Sequence, residues 1–321
     1  MSSINNLEKY KLNKIPFFVL APMDDVTDTV FRQVIADIAQ PDLYFTEFVN
    51  VDGLQSPGRE KLLPRLKLSS KKEHPIVAQV WGKDPENYYK TVLDIKEMGY
   101  DGVDINMGCP DKAVVKNGCC SALINDRKLA GDIIDAVKDA AGPTFPTSVK
   151  CRVGFTTVDL SWIEFLLLKI LNMLSIHLRT TKDMSKVPAR WELMEEIVAM
   201  KNKISPTTLL VGNGDVLSRK QGEELANKYN LDGIMIGRGI FHNPYIFSEE
   251  SAWESTNKQT KIDLYKKHVQ LFADTWQQNE RHVQTLNKFC KVYIQNFPGA
   301  KELREKLMSC KTTEKLLQVL S

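Results

Sequence analysis

Asp101-Gly102-Val103-Asp104-Ile105-Asn106-Met107-Gly108-Cys109-Pro110 reads as a buried strand that ends in a tight turn. Its first residues are small or branched, as a strand covered on both faces requires, with one acidic interruption at Asp104. Asn106 falls where the strand emerges, Gly108 permits tight or left-handed backbone, and Pro110 fixes the φ that follows. Cys109 is thereby held up at a strand end, where a thiol can give a proton or attack. A buried, inert cysteine in a turn is the competing reading. The neighbouring segments decide between the two.

Working outward, apolar runs predict strands over 16–20, 43–48 and 75–80 before this stretch, and over 146–151, 173–177, 208–211 and 232–236 after it. Helical signals separate them. Thr27 or Asp28 can cap a helix whose apolar face is Val30, Phe31, Val34, Ile35 and Ile38, and Asp84-Pro85 opens another that Gly99 stops. Further helices are expected over 127–140, 160–170, 191–203 and 219–229, and an irregular loop over 53–70. Eight strands, most followed by a helix, predict an α/β fold, a (β/α)8 TIM barrel. The polar residues Gln79, Asn106, Lys150, His177, Asn213 and Gly237-Arg238 then all lie at or just beyond strand carboxyl ends, the face that carries the active site in this fold. Each alone could be a cap, a surface lysine or a satisfied core histidine, but together they describe one site.

The chain has 321 residues, 43% hydrophobic and 26% charged, as ordinary globular proteins do. Its most apolar run, 163–174, is broken by Glu164, Lys169 and Asn172 and cannot span a bilayer, and the first residues lack a signal peptide's apolar core. Six cysteines, two of them adjacent (Cys119, Cys120), form no disulfide framework, and neither they nor the five histidines show zinc-ligand spacing. A reducing, cytoplasmic setting with no membrane and no metal is expected, and a monomer. After Pro244 the chain turns helical (262–277, 283–295, 300–310), with Tyr265, Phe272, Trp276, Phe289 and Tyr293 set among lysines and expected in the core. This divides the chain into a barrel over 1–247 and a helical domain over 248–321. Residues 256–321 hold 12 Lys/Arg against 6 Asp/Glu and the rest 31 against 34, so a basic tail follows a near-neutral body. That asymmetry suits a polyanionic partner, although a solvated lysine-rich surface explains charge alone.

Gly212-Asn213-Gly214-Asp215 and Gly237-Arg238-Gly239, after the last two strands, have the makings of a barrel phosphate grip. No GxGxxG or Walker motif accompanies them, so a mononucleotide cofactor fits better than a bound dinucleotide or NTP. Gln79 can offer donor and acceptor to a flavin edge, and Lys150 a positive charge beside the reduced ring.

Ala21-Pro22-Met23, Thr46-Glu47-Phe48, Asn106-Met107-Gly108-Cys109-Pro110, Val149-Lys150-Cys151-Arg152-Val153-Gly154, His177-x-Arg179-Thr180, Asn213-Gly214-Asp215 and Ile236-Gly237-Arg238-Gly239 together resemble the tRNA-dihydrouridine synthases. The resemblance runs in order from about residue 17 to 247, and the helical tail is also a feature of that family. It implies FMN as cofactor, NADPH as reductant and tRNA as partner, with reduction of the uracil C5–C6 bond: hydride to C6, and a proton from Cys109 to C5. It further implies cofactor contacts from Pro22, Met23, Asp24, Gln79, Lys150, His177, Asn213, Gly214, Asp215, Gly237 and Arg238, and substrate contacts from Glu47 and Asn106. A thiol of ordinary pKa, near 8.5, would be protonated and ready to donate at neutral pH. Leu178, Asn172 and the 180–191 segment depart from the family pattern. Cys119-Cys120 is the rival acid, but neither sits at a strand end. The alternatives are an FMN barrel oxidoreductase acting on a free pyrimidine or other small molecule and a tRNA-binding folding factor with a vestigial flavin site.

Overall fold

The structure, a computed structural model describing residues 4–276 and 280–321, contains eight parallel strands. They are β1 Phe17–Leu20, β2 Tyr44–Asn50, β3 Ile76–Trp81, β4 Gly102–Met107, β5 Thr147–Arg152, β6 Met173–His177, β7 Leu209–Asn213 and β8 Gly233–Ile236. Consecutive strands pair from β2 to β8, and β8 pairs with β1. A parallel bridge from Val19 to Leu43, with the Leu20 amide donating to the Leu43 carbonyl at 3.0 Å, closes the ring. The result is the expected (β/α)8 barrel followed by a helical region.

Period-two alternation sorts each strand's side chains. Phe17, Val19, Leu43, Phe45, Val77, Met173, Leu209, Val211 and Met235 fill the barrel, while Phe18, Leu20, Tyr44, Ala78, Val103, Ile105 and Val149 pack outward against helices. A short helix, Ile4–Lys9, which is not among the elements expected from sequence, is anchored by Asn6 Nδ2 donating to the Thr207 carbonyl at 2.6 Å. Tyr10 and Leu12 beyond it extend the barrel's inner cluster.

Caps set the helix starts as read. Asp28 accepts from the Phe31 amide to open Thr29–Ile38, and Asp84 from the Glu86 amide to open Pro85–Glu97. Strands β4, β5 and β7 run further than expected because their ladders continue: Asn106 pairs with Lys150, Arg152 with His177, and His177 with Asn213. Asn106, Lys150, Arg152, His177 and Asn213 therefore stand on strands and not on loops. The expected helix over 191–203 starts as a tight turn, Trp191–Leu193, and continues as Met194–Ile204. Part of the expected 53–70 loop is ordered into short turns, Arg59–Lys61 and Leu63–Leu66.

The tail comprises Lys258–Thr275, Leu286–Tyr293, Ala300–Ser309 and Thr313–Val319. Asn257 accepts from the Thr260 amide at 2.9 Å and starts the first of these earlier than the apolar pattern alone. Gln277, expected at its end, lies outside the described residues. Tyr265, Phe272, Trp276, Phe289 and Tyr293 are all buried, as expected. Phe289 stacks on the barrel-helix residue Phe31 with ring centroids 5.1 Å apart, so tail and barrel share one core. Among the described residues no helix is long and apolar enough to cross a membrane.

Candidate active site

The carboxyl ends of β5 to β8, together with the turn after β1, enclose a cavity of about 500 Å³. Pro22, Met23, Lys150, Arg152, His177, Asn213, Gly214, Asp215, Gly237, Arg238, Phe241 and His242 line it. Most of the cofactor residues named from sequence are thus brought to one wall. Gly214, at φ +137°, is required by its conformation and its surroundings, since a Cβ there would lie 2.7 Å from Ala189 Cβ. At Gly237 the reverse holds: the nearest atom to a Cβ would be Ala21 Cβ at 3.6 Å, so a side chain would project into open cavity.

The cavity is strongly cationic. Burial, then Lys150, Arg152, Arg179 and Arg238, push His177 down to about 2, so its imidazole is neutral. Arg179 can only donate, and its Nη1 lies 3.3 Å from His177 Nε2, so Nε2 accepts and Nδ1 carries the proton. Burial and the neighbouring Arg152 lower Lys150 to about 8 against the opposing pull of Asp104. Asp215 offsets only part of this charge. Its carboxylate already accepts from Arg179 Nη2 at 2.5 Å and from the Ala189 amide at 2.9 Å. Burial pushes it up, but these partners outweigh burial and hold it below its ordinary value.

On the β3–β5 side, beneath the cavity, the polar groups satisfy one another. Asp104, inside the barrel, accepts from Gln79 Nε2 and from Ser148 Oγ, both at 2.7 Å; burial raises it to about 6 despite those bonds. Asn106 Nδ2 donates to Gln79 Oε1 at 3.0 Å, and Asn106 Oδ1 accepts from the Gly108 and Cys109 amides at 3.0 Å each. Gln79 therefore has its amide orientation fixed, and Asn106 shapes the turn that carries Cys109. Arg152 joins this side to the cavity: it lines the wall and donates through Nε to the Gly108 carbonyl at 2.8 Å. The Cys120 thiol and the Asp111 amide both donate towards Cys109 Sγ, and the Cys120 contact is the main reason that thiol falls to about 7. The ordinary thiol expected from sequence is corrected accordingly. Cys109 is half-buried.

Two expected contacts lie elsewhere. Asp24 pairs with Arg65, off the cavity wall. Glu47 is fully buried: one oxygen accepts from the Asp25 amide at 2.7 Å and the other pairs with Arg281 of the tail. Burial raises Glu47 in spite of Arg281, and Asp28, 3.7 Å from Arg281, behaves likewise. Glu47 therefore clasps the tail and contributes nothing to the cavity wall. Sequence reading gave no role to Arg152, Arg179 or Asp104. The strand period could have found two of them, because Arg152 stands two residues beyond Lys150 and Asp104 two before Asn106.

Fold and cavity define a barrel with a cationic cavity at its carboxyl end and a thiol on the turn after β4. The family profile described as dihydrouridine synthase (Dus) matches residues 19–321, and the chain belongs to that family. It is 46% identical over 297 residues to a probable tRNA-dihydrouridine synthase of Staphylococcus aureus (strain Mu50 / ATCC 700699), covering 92% of this chain and 89% of that one. It is 44% identical over 308 residues to probable tRNA-dihydrouridine synthase 2 of Bacillus subtilis (strain 168), covering 95% and 93%. Among solved structures, morphinone reductase in complex with tetrahydroNAD superposes with a TM-score of 0.52 at 14% identity, over 75% of this chain and 87% of that one. Histamine dehydrogenase from Rhizobium sp. 4-9 gives 0.55 at 12%, over 79% and 48%. These last two likenesses concern the barrel fold.

Proposed function

We propose that this enzyme reduces the C5–C6 bond of uridines in tRNA, holding FMN in the barrel-end cavity and taking electrons from NADPH. The observation that carries the proposal is a cavity with an excess of cationic side chains, joined by Arg152 to the turn that carries Cys109. The cavity suits FMN by its own chemistry. Lys150, Arg152 and Arg238 favour a phosphate, the lining carboxylate Asp215 is already taken by Arg179, and the bare backbone at Gly237 leaves a cradle that a side chain would fill.

FMN, when bound, supplies the hydride that goes to C6. The chain does the rest. Pro22, Met23 and the Asn213–Asp215 and Gly237–Arg238 turns line the cofactor's pocket, and Lys150 sets a positive charge there. Gln79, with its amide oriented by Asp104 and Asn106, keeps one N–H and one lone pair for a ligand. Cys109 Sγ gives its proton to C5, and Asn106 positions Cys109 through the turn instead of touching the base. The uridine must leave its stack to enter. Residues 248–321 act as the tRNA-binding domain beside the 1–247 barrel. Phe241 lines the cavity and also the cleft formed by Lys288, Lys291 and Val292, so basic tail surface runs up to the site. A monomer working in the cytoplasm, where tRNA is found and thiols stay reduced, completes the reading.

Cys109→Ala tests it. The variant is expected to keep FMN and to be reduced by NADPH as fast as the wild type, since neither step uses the thiol. Its oxidation by unmodified tRNA, followed by stopped flow, should slow by roughly 10²–10⁴-fold. In the wild type that step should slow as pH rises through about 7, because only the protonated thiol donates. Reoxidation of the reduced Cys109→Ala enzyme by tRNA at an undiminished rate would leave Cys109 structural.

A further inference from the structure

Cys109 has a partner that the proposed reaction does not use. From Cys109 the chain turns through Pro110, forms the short helix Lys112–Lys116 and returns, so that the Ser121 amide donates to the Cys109 carbonyl at 3.4 Å. Cys120 is 1% exposed and stands at φ +54°, a backbone conformation ordinarily left to glycine. With the Ser121 amide on the Cys109 carbonyl, that conformation brings the Cys120 thiol beside Cys109, close enough to lower the Cys109 thiol. Cys119 is turned away, with its Sγ donating to the Asn117 carbonyl at 3.7 Å.

We propose that Cys109 and Cys120 form a redox couple, which hydrogen peroxide closes into an intramolecular disulfide and a small thiol reopens. The Cys109 thiolate attacks one peroxide oxygen, the O–O bond breaks, and the other oxygen leaves as hydroxide; Cys109 becomes a sulfenic acid. The Cys120 sulfur then displaces the sulfenic hydroxyl, which departs as water with the Cys120 proton. In sum, two thiols and one peroxide give one disulfide and two waters, the sulfurs losing the two electrons that the peroxide gains. Contact between the sulfurs makes the second step intramolecular and fast relative to further oxidation of Cys109. Burial, and then the Cys109 contact, hold Cys120 protonated, so oxidation begins at Cys109, the partly accessible member. The effect of the bond on tRNA reduction rests on the proton-donor reading of Cys109; the bond itself does not.

Treatment of the full-length protein with hydrogen peroxide, followed by alkylation and peptide mapping, tests the couple. The wild type should lose two of its six free thiols, yield the Cys109 and Cys120 peptides joined, and regain both thiols and tRNA reduction with dithiothreitol. Cys120→Gly, which suits the left-handed backbone, and Cys120→Ser should instead end with Cys109 as a sulfinic acid that dithiothreitol does not reverse. A bond to Cys119, or sulfinic Cys109 forming as readily in the wild type as in both variants, overturns the proposal. A mapped Cys109–Cys120 disulfide with tRNA reduction undiminished upholds the couple and removes Cys109 as the donor.

Discussion

Around Glu47 and around His177 the same end of the barrel carries two clusters of charge with opposite bookkeeping. In the first, the buried Glu47 and Asp28 face Arg281, and Arg65 braces Asp24, Asp25 and Glu47, so both guanidinium groups are taken up by carboxylates of the chain itself. In the second, Lys150, Arg152, Arg179 and Arg238 surround a neutral imidazole, and Asp215 is their only carboxylate among the described lining residues. The closed cluster joins barrel to tail. The open one keeps an excess of positive charge, which on the proposed function an anionic ligand completes. Burial and proximity alone would have marked both as sites; the sign of what remains unpaired tells them apart.

Cutting the closed cluster should have the largest effect on folding. Arg281→Met leaves Glu47 and Asp28 buried without their partner, which costs on the order of 3–5 kcal/mol and should appear as a lower urea midpoint. Burial already raises both carboxyls, so their folded values exceed their unfolded ones. Such groups stabilise the fold at low pH and lose that contribution as pH rises through the folded value. The deficit of the variant should therefore be full at neutral pH and shrink on acidification. A deficit that grew in acid would mean that the carboxylates have other partners.

Neutralising one charge of the open cluster should act in reverse. Lys150→Met removes a cation from among cations, so its urea midpoint should stay level or rise, while affinity for FMN falls roughly 10–100-fold, as loss of a charged hydrogen bond implies. If it instead unfolds like Arg281→Met, the distinction between the clusters is lost.

The smallest effect belongs to the tail surface, which belongs to neither cluster. Lys291 and Lys301 border a groove with Arg304, whereas Lys288 is tied to the Asp25 carbonyl at 2.8 Å. Lys291→Glu with Lys301→Glu should weaken tRNA binding, and lower its salt slope by about one per lost phosphate contact, without changing FMN affinity or stability. An unchanged slope would exclude these lysines from the tRNA contact.

The open cluster was largely legible in the sequence because its members recur at strand ends: Lys150, His177, Asn213 and Gly237-Arg238 mark successive strands. The closed cluster was not. Glu47 sits beside Thr46 in the middle of β2 and looks like another wall residue; only the return of the tail brings Arg281, more than two hundred residues later, onto it. Asp104 reads as an interruption in an apolar run until the barrel curls it under Gln79. The Cys109–Cys120 contact depends on a left-handed residue that no pattern in Asn117-Gly118-Cys119-Cys120 announces. Periodicity reveals which face a residue occupies, and tertiary closure decides what stands opposite.

The central claim is that the open cluster's unmatched charge is there to hold a phosphate. Quenching of flavin fluorescence on titration with the apoprotein measures this directly, by comparing FMN with riboflavin, which lacks only that group. FMN should bind the wild type more tightly by about 100-fold or more, as two charge-assisted contacts imply, and the gap should narrow in Arg238→Ala. Equal affinity for the two flavins in the wild type would contradict the account.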